Sequence, residues 1–140
     1  MGDREDLADA VEELGAVLKN VVFDRPHLVL ADVLGELREA WERASAAVRS
    51  VVTSLRAGGL DLEEKLATAG LLGSSLRAKL RGFKAALARW RAGATTGTLL
   101  RVLGWGNVFL GSLASVLPGA EVLKEYKEAV EQSVLDVHEQ

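Results

Sequence analysis

The side chains that carry most enzyme chemistry are scarce in this chain of 140 residues. Cysteine is absent, which removes thiolate nucleophiles, disulfide frameworks and cysteine-based zinc or iron–sulfur sites. The two histidines, His27 and His138, have no motif around them of the kind that general acid–base catalysis recruits. Neither the Glu-x-x-His pairs of di-iron bundles nor the His-Glu-x-x-His of zincins occurs. Gly104-Trp105-Gly106 does not complete a dinucleotide fingerprint, and Gly93-Ala94-Thr95-Thr96-Gly97-Thr98 lacks the lysine of a phosphate-binding loop. The expectation is a protein that binds rather than catalyses, with no cofactor and no metal.

Charge is the chemistry that remains, and it is segregated. Residues 1–64 hold fourteen acids and seven bases, residues 65–120 eight bases and no acid, and residues 121–140 six acids and two lysines. The net charge of −3 therefore hides blocks of −7, +8 and −4. One account of the basic block is intramolecular, with its helix flanks paired to Glu36, Glu39, Glu42, Glu125 and Glu128 on neighbouring helices. The other is attraction to anionic phospholipid headgroups, worth roughly 1 kcal/mol per residue near such a surface. On that account Arg77, Lys79, Arg81, Lys84, Arg89, Arg91 and Arg101 are the headgroup contacts. Nucleic acid could use the same field, but the chain is acidic overall, and one Tyr, three Phe and three Trp leave little for base stacking.

The elements that must position these charges all read as helices, in one domain spanning residues 1–140. With 49% hydrophobic residues the chain can bury a core without staples. Leu7, Val11, Leu14, Leu18 and Val21 recur at spacings of four and three, predicting a helix from about Arg4 to Val22 with acids crowding its start. Asp24 and Pro26 mark a break. A second helix follows to about Arg56 on a stripe from Leu30 to Leu55, ending at Gly58-Gly59. Asp61 caps a third, in which Leu62, Leu66, Ala69, Gly73, Leu76, Leu80, Phe83, Leu87 and Trp90 alternate as one unbroken seam. Thr95 or Thr96 caps a fourth over residues 97–138, either kinked or broken into two at Pro118. The fold class is thus all-α, a four-helix bundle of long antiparallel helices.

Within the last of these, Val102 to Ala120 is uncharged for nineteen residues. A helix apolar all round is simply buried in a bundle core. Its length also approaches the ~20 residues that span a bilayer, although its glycines and Pro118 make it a poor permanent anchor. On the opposite face of the third helix, Ala78, Gly82, Ala85 and Ala92 read as surface residues chosen for helix propensity, the alternative being close approach of another helix.

The stretch Trp105-Gly106-Asn107-Val108-Phe109-Leu110-Gly111-Ser112-Leu113-Ala114-Ser115-Val116-Leu117-Pro118-Gly119-Ala120-Glu121, followed by Lys124-Glu125-Tyr126-Lys127-Glu128, together with the four-helix outline, resembles the prokaryotic Bell domains. These are proposed relatives of fungal HeLo domains and of the helical bundle of the mixed-lineage kinase-like necroptosis effector. The resemblance implies a cytoplasmic bundle that forms a homo-oligomer when triggered, moves to the inner face of the plasma membrane, permeabilises it and kills the cell. An acidic opening, Met1 to Asp6, without a basic and then apolar leader, agrees with a cytoplasmic start. The chain departs from the fungal pattern in its first helix, where Asp3, Glu5, Asp6, Asp9, Glu12 and Glu13 replace a strongly apolar inserting segment. Only Leu14, Val17, Leu18, Val21, Val22 and Phe23 are left to insert there, with Trp105 and Phe109 as weaker candidates. The alternative is a passive oligomerisation or adaptor module of a signalling or defence assembly.

Overall fold

A computed structural model describes residues 3–24, 29, 31–57, 60–70, 73–114, 117 and 120–133, and six α-helices pack together in it. They are α1 (Asp3–Lys19), α2 (Leu34–Ala57), α3 (Leu60–Thr68), α4 (Ser74–Ala92), α5 (Thr96–Ala114) and α6 (Ala120–Ser133). No strand occurs among the described residues. Pro26, His27, Gly58, Gly59, Pro118 and His138 lie outside them.

The third expected helix is two. Its seam fails at Ala69 and Gly73, which have no large side chain to bury, and Ala69 is exposed. Here α3 tightens into a last turn, with the Gly70 N–H donating to the Ala67 carbonyl at 3.0 Å and Gly70 left-handed at φ 73°. That is a glycine helix stop. The seam resumes in α4, where Leu76, Leu80, Phe83, Leu87 and Trp90 are all buried. The last expected helix is also two, since α5 ends at Ala114 and α6 begins at Ala120.

Between α4 and α5 the turn is fixed as the residue types predict. Thr95 Oγ1 accepts from the Thr98 N–H at 3.1 Å while Thr98 Oγ1 accepts from the Thr95 N–H at 2.8 Å. This is a reciprocal capping box with threonine in the place of the usual glutamate.

Helix α1 is central. It packs on α2 and also touches α4 and α6, while α4 packs on α5, and α2 and α5 both pack on α6. Two glycines let its neighbours close on it: a Cβ on Gly15 would meet Val48 of α2 at 3.0 Å, and one on Gly106 of α5 would meet Leu14 at 2.9 Å. Leu7, Val11, Leu14, Val17 and Leu18 are buried, as are Val21 and Val22 in the π-helical turn Asn20–Asp24 that extends the helix. The Tyr126 hydroxyl donates to the Leu18 carbonyl at 3.4 Å, and burial raises its phenol pKa above the ordinary value. On the wet side of α1, Arg56 of α2 reaches Glu5 at 3.0 Å, Asp9 at 2.8 Å and Glu12 at 3.3 Å. Its guanidinium pKa is raised, first by the Asp9 hydrogen bond.

Candidate functional site

The acid-free block folds into the α4–α5 hairpin. Its antiparallel register is pinned by Lys79 Nζ donating to Ser112 Oγ at 2.6 Å and by Phe83 stacked on Phe109 with ring centroids 6.0 Å apart. Trp105 lies across Gly82, so close that a Cβ on that glycine would sit 2.5 Å from the indole. Gly82 is therefore a seat for Trp105 rather than a propensity choice. Ala78, Ala85 and Ala92 stay exposed, as surface alanines do.

Helix α5 is not apolar because it is buried all round. Leu99, Val102, Leu103, Phe109, Leu110 and Leu113 face the core, but its other face is open. Leu100 is 52% exposed, Val108 45% and Trp105 39%, and the only other exposed large hydrophobic among the described residues is Phe23 at 36%. Arg101, Gly104, Trp105 and Val108 line a shallow groove of about 260 Å³ on this face. A helix hairpin thus presents apolar side chains to water with no acid anywhere on either helix.

The seven basic candidates have different surroundings. Arg81, Arg89 and Arg101 are exposed and have no acidic partner among the described residues. Arg77 is also exposed. Lys79 is half-buried on Ser112. Arg91 is paired with Glu13 of α1. Lys84 borders a cleft of about 400 Å³ between α1 and α4, floored by Ala10, Phe83 and Leu87 and walled by Asp9, Glu12, Glu13 and Arg91. Intramolecular pairing of the basic flank therefore runs to α1. Glu36, Glu39, Glu42, Glu125 and Glu128 stay exposed, with no ion-pair partner among the described residues, because α4 packs against α5 and α1 rather than α2. The N-terminal acids, which as a sequence suggest only dipole compensation, form the row that Arg56 and Arg91 grip.

The insertion candidates divide as sharply. Leu14, Val17, Leu18, Val21 and Val22 are core, and so is Phe109. Phe23 is partly exposed, with the Arg38 guanidinium 5.6 Å from its ring centroid. Trp105, a weaker candidate by sequence, is the one most open to a ligand. Among the described residues no group of three or more potential metal ligands comes together, and no helix is long and apolar enough to cross a membrane. No family model, curated protein or solved structure matches the chain.

Proposed function

We propose that this chain docks on anionic membrane surfaces through the α4–α5 face and, as the likeness to Bell and HeLo bundles implies, disrupts the membrane there when brought into oligomers. In that reading the fold is a four-helix bundle whose third and fourth helices are interrupted, as α3–α4 and α5–α6. One observation carries the proposal: Leu100, Trp105 and Val108 are exposed on the one hairpin that has bases and no acids. A tryptophan with one face packed and one wet suits the headgroup boundary. The neighbouring unpaired arginines add roughly 1 kcal/mol each near anionic lipid.

The test is cosedimentation and dye release with anionic and neutral liposomes. Anionic vesicles should bind the protein, and part of the binding should survive salt that screens charge beyond ~8 Å, since apolar contact remains. Trp105→Ser combined with Arg81→Glu, Arg89→Glu and Arg101→Glu should weaken binding at least about tenfold. Retention on DNA at physiological salt with no liposome affinity would instead make the face a nucleic-acid surface. The burial of Leu14, Val17, Leu18, Val21 and Val22 favours a second reading, an adaptor that never inserts. An enforced oligomer that neither stops cell growth nor releases dye would establish it.

A further inference from the structure

The acids left over by the bundle are not scattered. Trp41 of α2 and Tyr126 of α6 meet with ring centroids 5.4 Å apart, which sets the first half of α2 beside α6. Along these two helices Glu36, Glu39, Glu42, Glu121, Glu125 and Glu128 are exposed, with no ion-pair partner among the described residues. Arg38, Arg43 and Lys124 are the bases that interrupt them, while Lys127 is buried and bonded to Glu131 at 3.1 Å. These acids lie on α2, which packs chiefly on α1 and α6, and on α6, which packs on α2 and also on α5. One molecule thus carries an acidic face on α2 and α6 and a basic face on α4 and α5. The basic one has an uncovered apolar centre.

We infer that the α4–α5 face of one copy is covered by the acidic α2–α6 face of another, in a head-to-tail contact of this chain with itself. The guanidiniums of Arg81, Arg89 and Arg101 find on the neighbour the carboxylates that they lack among the described residues of their own bundle, and Leu100, Trp105 and Val108 leave water. The two faces differ, so the contact is heterologous and extends beyond a dimer unless a ring closes. Its size sets its strength. Helices of 19 residues are about 28 Å long and pack 8–10 Å apart, so the hairpin offers roughly 500 Å² of face, the scale of a weak, reversible contact. The inference shares the α4–α5 docking face with the membrane proposal, but its other half is a surface that lipid does not use. Self-association hides the lipid-binding face, and an anionic membrane competes for it.

Sedimentation velocity of the full chain without lipid, over a concentration series at low and at molar salt, tests this. At low salt the expected result is a sedimentation coefficient that rises with concentration. At molar salt, where the screening length is about 3 Å, the rise should be much weaker, leaving only what the apolar contact supplies. An acid-face variant (Glu39→Lys, Glu125→Lys, Glu128→Lys) and a basic-face variant (Arg81→Glu, Arg89→Glu, Arg101→Glu) should each be monomeric alone. Their mixture should associate again, which no misfolded variant would do. The acid-face variant should bind anionic liposomes at least as tightly as the wild type, since nothing then competes for the α4–α5 face. A wild type that stays monomeric at low salt, or association untouched in the acid-face variant, overturns the inference and leaves the lipid proposal standing. Association that responds to both variants in a protein that never binds liposomes supports it and removes the lipid proposal instead.

Discussion

Two glycines two residues apart on α5 show how much a single Cβ decides. Gly104 faces water, and an added methyl would meet nothing within 4 Å. Gly104→Ala should therefore stabilise the chain by up to about 1 kcal/mol through helix propensity alone. Gly106 faces α1, where even a Cβ would come within 2.9 Å of Leu14. Alanine there is tolerable because the end of a leucine can turn aside. Gly106→Val, with two further carbons in the same gap, should cost about 1–3 kcal/mol as an overpacked contact. Urea denaturation of the two variants checks the pair, and a shift of both midpoints in the same direction would mean that α5 does not turn Gly106 toward α1 and Gly104 toward water. Gly82 is the third instructive position. A side chain there must displace the Trp105 indole, so Gly82→Leu should move Trp105 outward and red-shift its emission in a background where Trp41 and Trp90 are phenylalanine. Unchanged emission would remove the contact between the two.

Among the elements, the break between α3 and α4 is the feature that periodicity reads wrongly. Positions 69 and 73 keep the seam's spacing but supply alanine and glycine, so nothing holds the helix through them once Gly70 can turn left-handed. Gly70→Ala should destabilise by about 1–2 kcal/mol because a Cβ is strained at positive φ. A gain in stability and in helical circular dichroism would show that α3 and α4 prefer to be one helix. Further along, Leu80→Ala should cost roughly 2–5 kcal/mol, whereas Ala85→Ser, on the exposed side, should stay within about 0.5 kcal/mol. The helical state of the segments, the burial of α4's leucines and a threonine cap at position 95 or 96 were all legible, since each depends on neighbours a few residues away. Which helices lie side by side was not. Arg91 finds Glu13 across 78 residues, and Arg56 finds Glu5 across 51, contacts that no local pattern encodes. The outward face of α5 was hidden for a related reason: beyond Arg101 the helix carries no charge to mark its wet side, so Trp105 and Phe109 look alike in sequence although one is open and the other buried.

For the molecule as a whole the question is whether membrane contact needs the bundle to open. Leu14, Val17, Leu18, Val21 and Val22 are all buried, and at roughly 1.5–3 kcal/mol each, withdrawing the five costs about 8–15 kcal/mol before any lipid contact repays it. That equals the whole stability of a typical domain, about 5–15 kcal/mol. The ion pairs of Arg56 and Arg91 hold the same helix from outside, but they are exposed and screened, so they add little beside the core. Trp105, Leu100 and Val108 can meet a bilayer at no such cost. The first membrane-bound state should therefore keep α1 in place. Hydrogen exchange should leave the amides of residues 7–22 as protected on anionic liposomes as in solution, while Trp105 emission shifts to the blue. On the membrane proposal, any insertion of α1 should appear only in a later state, when copies are forced together and lipid contact can offset the loss of the core. If a monomer loses protection in residues 7–22 as soon as it binds, before any change at Trp105, then α1 leads and the α4–α5 face is not the point of first contact.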